Sequence, residues 1–168
     1  MDKSNNRSNF SFISFLGGMT TGIVLVVGLM FLFMPSMMIT VHESRFASVE
    51  ETVSRLQEAI SKNGWSSPMV RNMNEAMEKG GHPSSRTVRL VELCKAQYAK
   101  EVLETNPEVS TLMPCAWGVY TGNDGKVYIS GMNMGLMGKL FGGNIAKIMG
   151  GSVAAEEHAM LNEVIKLP

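Results

Sequence analysis

The sequence predicts an α+β fold: a two-layer α/β sandwich with a mixed or antiparallel sheet, preceded by one transmembrane helix. Three observations carry this. Residues 10–34, FSFISFLGGMTTGIVLVVGLMFLFM, contain no charge. Behind them, stretches with alternating apolar residues are interleaved with stretches whose apolar residues recur every three or four positions. The total of 168 residues leaves room for one anchor and one ordinary domain.

The uncharged run comes first. About 20 apolar residues cross a bilayer core of roughly 30 Å, so residues 10–34 are long enough to span with some tilt. A cleaved signal peptide is the rival reading, but its apolar part is normally about 7–15 residues and ends at an A-x-A-like site, which PSMMITVHES does not offer. Lys3 and Arg7 precede the span and only Arg45 follows closely, which favours the N-terminus inside. The expected localisation is the inner membrane, single-pass, with the remainder outside, in the periplasm if the source is bacterial. Gly18 and Gly22 form a GxxxG that would let two such helices approach closely.

From residue 38 onward the elements follow in order. MMITVHES reads as a strand, and Ser48 with Glu51 forms a capping box opening a helix whose Val49, Val53, Leu56 and Ile60 share one face. Residues 65–72 read as a weak strand broken by Pro68, and MNEAMEK as a short helix ended by Gly80 and Gly81. RTVRLVEL is a strand, and a helix over 95–105 stops at Asn106-Pro107. Cys115, Trp117 and Val119 alternate into a hairpin turning at Gly122-Asn123-Asp124-Gly125, with Val127 and Ile129 on the return. Helices over 134–149 and 153–166 close the chain. The domains expected are 1–37, cytoplasmic tail and anchor; 38–133, the α+β domain; and 134–168, a Gly- and Met-rich helical extension.

Charge is balanced, and removing the first 38 residues takes away only Asp2, Lys3 and Arg7. With no basic excess, binding to nucleic acid is not expected. Enzyme motifs are missing as well: there is no HExxH, GxSxG, GxxxxGK[ST] or post-strand GxGxxG, and neither cysteine belongs to a CxxC. His42, His82 and Glu156-Glu157-His158 read as surface groups.

Cys94 and Cys115, the two cysteines, lie at strand ends, and the return of a strand–helix–strand unit would bring them to a common pocket. Three readings stay open: buried core thiols, a disulfide, or a functional thiol or ligand pair. Methionine, at 15 residues, adds to the last reading. Met113 stands two before Cys115, and Met132, Met134 and Met137 form an MxMxxM run. Thiolate and thioether donors are soft and suit Cu(I) or axial ligation of haem iron, so copper and haem are the candidate cofactors. Met69, Met73 and Met77 recur every four residues and read as an adaptable packing stripe.

The succession of a first strand, SVEETVSRLQEAISKNGW, a strand ending in Cys94, a helix carrying Tyr98-Ala99 and Val102-Leu103, and then NPEVSTLMPCAWGVYTGNDGKVYIS resembles the domain of unknown function 302 family over residues 38–133. ELCK around Cys94 and LMPC around Cys115 match positions where that family's pattern has cysteine. The resemblance implies a small two-layer sandwich that forms homodimers, and it brings no established activity. The functional expectation is a membrane-anchored, outward-facing accessory or ligand-binding module, non-enzymatic, docking on a membrane protein complex or holding a small ligand. The alternative is a thiol-redox or metal- or haem-handling protein using Cys94 and Cys115 with the nearby methionines.

Overall fold

The computed structural model describes residues 5–167, and within the first helix the side chains at 15, 18–30, 32–34 and 36–38. The chain divides into two units, Met1–Met37 and Met38–Pro168. Helix α1, Asn5–Met38, accounts for the first. Most of its described apolar side chains are exposed, Val24 to 70% and Leu32 to 76%, while Met34 and Met38 are half-buried. Among the described residues no helix is long and apolar enough to cross a membrane. The span expected over 10–34 lies in part outside the residues whose side chains are described.

The second unit is built on one antiparallel five-stranded sheet. Strands β1 (Ile39–Glu43), β2 (Val70–Asn72), β3 (Val88–Leu93), β4 (Cys115–Thr121) and β5 (Val127–Met132) take the order β1-β5-β4-β3-β2. The β4–β5 hairpin forms as its alternation and Gly/Asn/Asp turn require, with Gly125 N donating to Gly122 O at 3.1 Å. β1 then pairs with the far side of β5, and β3 with the far side of β4. Neither hairpin strand is therefore an edge that a second copy could extend; the edges are β1 and the short β2. β2 begins at Val70 rather than near 65, because Trp65 is instead drawn into the core, where it is 6% exposed.

Alternation decides the two faces. Val91, Leu93, Cys115, Trp117, Val119, Val127 and Ile129 point inward, and all are buried. Helix α2 (Val49–Lys62), whose Ser48 side chain accepts from Glu51 N at 3.1 Å, lays Val53, Leu56 and Ile60 on this face. Each fully buried Leu or Ile contributes about 1.5–3 kcal/mol relative to exposure. The opposite face stays open: Ile39 and Val41 are 50% and 51% exposed. Beside them runs a shallow groove of about 390 Å³ over small residues that include Ala116, Gly118 and Ser130.

The remaining helices are α3 (Met73–Lys79), α4 (Ala96–Leu103), a 3₁₀ turn Pro107–Leu112, α5 (Met134–Phe141), α6 (Gly143–Lys147), a π-helical segment Ile148–Val153, and α7 (Ala154–Asn162). Where one helix was expected over 134–149, Gly142 at φ 71° interrupts it and turns α6 back against α5. Residues 134–168, expected as an added extension, supply Met134, Ile145, Ile148, Met149, Val153, Met160, Val164 and Ile165 to the same core. Asn144 Nδ2 fastens α6 to the α4 end through Glu101 O at 2.9 Å and Thr105 Oγ1 at 3.0 Å.

α5 and the π-helical segment meet backbone to backbone. A Cβ on Gly138 would stand 2.4 Å from Gly150 Cα, whereas one on Gly151 would meet nothing within 4 Å. Gly138→Ala is expected to destabilise the second unit by about 1–3 kcal/mol through overpacking. Gly151→Ala should leave it unchanged or slightly more stable. Thermal melts of the two variants in mild detergent check the pair, and equal melting temperatures would refute this account of the contact.

Candidate functional site

The register of β3 on β4 sets Leu93 opposite Cys115, so Cys94 leaves the ladder one residue beyond that pair. Cys94 is then pinned by two backbone bonds to Ser66, its N donating to Ser66 O at 2.8 Å and its O accepting from Ser66 N at 2.9 Å. Both cysteines line one small cavity, together with Trp65, Tyr98, Met113 and Met149. They are free thiols, Cys115 buried and Cys94 partly exposed, so the disulfide left open by the sequence is not formed here. As expected, Cys94 stands at the end of the strand just before the helix: Lys95 is the N-cap and α4 begins at Ala96.

Beneath Cys115 lies Glu157 of α7, 6% exposed in an otherwise apolar setting. The thiol hydrogen-bonds to this carboxyl. Burial pushes Glu157 up to about 8, against the pull of the Cys115 hydrogen bond. Burial likewise pushes the Cys115 thiol up to about 12, with Glu157 and Cys94 adding to the effect. Near neutral pH the pair is an uncharged thiol beside a largely protonated acid. A thiol held this far from ionisation is a poor nucleophile by itself.

The rim is charged and tightly bonded. Glu156 accepts from Trp65 Nε1 at 2.6 Å, Lys95 Nζ at 2.7 Å and Tyr98 OH at 2.5 Å. Its burial favours the neutral acid, but the three donors outweigh that and hold the carboxyl below its ordinary range. The same hydrogen bond raises Lys95 and Tyr98. Lys95 Nζ also lies 4.8 Å from the Tyr98 ring centre and 5.9 Å from that of Trp65, a cation–π arrangement over two rings that meet edge to face. Every polar group here has its partner, so the cluster is a rigid rim.

A second cavity adjoins the first. Met132, Met134 and Met137 line it together with Phe141 of α5, and Met113 and Met149 line both cavities. The structure thus gathers the four methionines singled out as ligand candidates around one space, with Met113 as the link to Cys94 and Cys115. Met69 and Met73 are instead exposed, at 48% and 36%, and line neither cavity. Each cavity offers about 20 Å³, room for roughly one water-sized sphere and far too little for a porphyrin. Among the described residues no group of three or more His, Cys, Asp or Glu stands close enough together to hold a metal ion.

Several residues of this site were not recognised from sequence. Glu156 and Glu157 were expected on a solvated face; Glu156 is instead the hub of the rim, and Glu157 is in the core. The signal for Glu157 was present, because it stands four residues after Val153 and three before Met160, on the apolar side of its helix. Met149 and Trp65 gave no such signal, since only the packing of the C-terminal segment brings them to the cysteines. His42 is half-buried on β1 opposite Ile129 rather than a free surface group, while His82 and His158 are exposed.

An antiparallel five-stranded sheet covered on one face by helices, with a thiol- and thioether-lined cavity pair at the junction, defines a small α+β domain. Residues 40–167 match the domain of unknown function DUF302, and the chain belongs to that family. The match takes in the C-terminal helices as well as the hairpin. The fold is similar to the crystal structure of an uncharacterized conserved protein DUF302 from Bacillus stearothermophilus, at a TM-score of 0.67 and 22% identity. The likeness covers 76% of this chain and 98% of that one. No curated protein matches the chain.

Glu157 makes stability pH-dependent with a definite sign. Its pKa of about 8 in the folded chain lies above the 4.5 of the free side chain. The contribution is therefore fully present below about pH 4.5 and is lost as pH rises towards 8, with a slope of at most about 1.4 kcal/mol per pH unit. Glu157→Gln is expected to flatten that slope and to melt higher than the natural chain at pH 9. Melting curves across pH 5 to 9 check it; parallel profiles for the two proteins would show that Glu157 titrates normally.

Proposed function

We propose that this protein is a membrane-anchored, outward-facing binding module that acts by association rather than catalysis, and that its ligand site is the pair of cavities shared by Met113 and Met149. One observation carries the binding reading: Cys94, Cys115 and five methionines, distant in sequence, converge on two adjoining spaces behind a rim whose polar groups are already paired. The charged groups of the rim, Glu156 and Lys95, are bonded to each other at 2.7 Å. The anchor reading rests on the uncharged run 10–34, long enough in sequence to span a bilayer core. Lys3 and Arg7 before the run support an inside N-terminus.

A second reading, thiol-redox handling by Cys94 and Cys115, is favoured by their sharing one cavity. The low acidity of Cys115 weighs against its leading such a reaction.

The anchor is expected to keep the chain in the membrane fraction through alkaline carbonate extraction, with residues beyond 38 open to protease added outside. A chain released by carbonate, or protected from external protease, would overturn the anchored, outward-facing placement.

Self-association belongs to the same proposal. On the open sheet face Ile39 and Val41 form an apolar ridge beside the valley of Ala116, Gly118 and Ser130, and ridge and valley on one surface suit a second copy related by a two-fold axis. Light scattering of the chain in mild detergent is expected to give two copies per particle, and Val41→Glu one. A single copy in both would remove the proposed dimer.

A further inference from the structure

We propose that the cysteine-lined cavity is a Cu(I) site in which Cys94 and Cys115 supply thiolate ligands and Met113 and Met149 thioether ligands. It deepens the binding reading above and rests on it.

Size and donor type argue together. A space of about 20 Å³ admits a single ion, not an organic molecule or a macrocycle. Four of the residues lining it carry sulfur, and they come from just past the end of β3, the start of β4, the segment before it and the π-helical cap. Thiolate and thioether donors select Cu(I) over harder cations. Zinc, which takes four thiolate, imidazole or carboxylate ligands, finds no third such group clustered with another two among the described residues. The one carboxylate on the rim, Glu156, is already taken by three donors. The adjoining cavity, with Met132, Met134 and Met137, extends the run of thioethers away from the cysteines and suits staged transfer of the same ion.

The balance of the step is simple. Two copper–sulfur bonds form, the two thiol protons leave to solvent, and copper stays Cu(I), so no electron donor or acceptor is needed. The resulting bis-thiolate unit carries one negative charge. Lys95, also on the cavity wall, stands nearby while paired with Glu156 at 2.7 Å.

The test is an anaerobic titration of the reduced full chain, in mild detergent, with Cu(I) in competition with bicinchoninate. One equivalent per chain should be withheld from the chelator. Cys94→Ser should weaken retention by about tenfold or more, and Met149→Leu by a smaller but measurable factor. Met69→Leu should match the natural chain, because Met69 lines neither cavity. Cys115→Ser puts a hydroxyl into the core and can unfold the domain, so the conclusion rests on Cys94→Ser and Met149→Leu, each first shown folded by circular dichroism. X-ray absorption of the loaded chain should show a sulfur-only first shell. No equivalent withheld, equal retention by both variants, or oxygen and nitrogen ligation would each overturn the site. A chain that stays in carbonate-washed membranes yet holds no copper would refute this site alone and leave the anchored module standing.

Discussion

The ladder between β3 and β4 is the constraint on which the rest of this domain depends. Its register places Val91 opposite Trp117 and Leu93 opposite Cys115, all inward and all under 10% exposed. Because side chains alternate along a strand, a slip of one residue would turn this whole set out of the core. The helix α2 settles on this apolar surface, and the chain leaves β3 at Cys94 into α4 beside the strand that begins at Cys115. The proximity of the two thiols is therefore a consequence of the same pairing that makes the core.

The second contribution comes from the C-terminal quarter. Met149 and Val153, four residues apart in the π-helical segment Ile148–Val153 and so on one side of it, both line the cysteine cavity. The close meeting of Gly138 and Gly150 lets this segment lie near enough to α5 for Met137 and Met149 to line a common space. The edge strand β1 is tied into the same end of the chain. Arg45 N donates to Val164 O at 2.9 Å and Lys166 N to Glu43 O at 2.9 Å.

Two consecutive carboxylates show how far burial alone can divide identical chemistry. Glu156 and Glu157 stand about 100° apart around α7. Glu156 reaches the rim, meets a lysine, a tyrosine and a tryptophan donor, and stays ionised. Glu157 turns inward, meets only a thiol, and is pushed towards the neutral acid. The first holds Trp65, Lys95 and Tyr98 over the opening of the cavity; the second waits beneath Cys115. A pair of acids whose environments drive their pKa values apart is a recurrent mark of functional sites.

Sequence by itself determined the local elements and the class of fold. Alternation at Cys115, Trp117 and Val119, the four-residue glycine-rich turn, the Ser48 cap and the apolar face of α2 are signals carried within a few neighbouring residues, and each formed where it was read. The uncharged run and the cysteine positions were legible for the same reason. Only the tertiary structure decided that β1 closes the hairpin's far side, that residues 134–168 are core rather than appendage, and that Met149 and Trp65 line the thiol cavity with Glu156 bonded into its rim. Those outcomes depend on pairings between residues far apart in the chain, such as Trp65 with Glu156, 91 positions on. No local pattern encodes them, because their free energy exists only once the sheet and its helical cover have closed on each other.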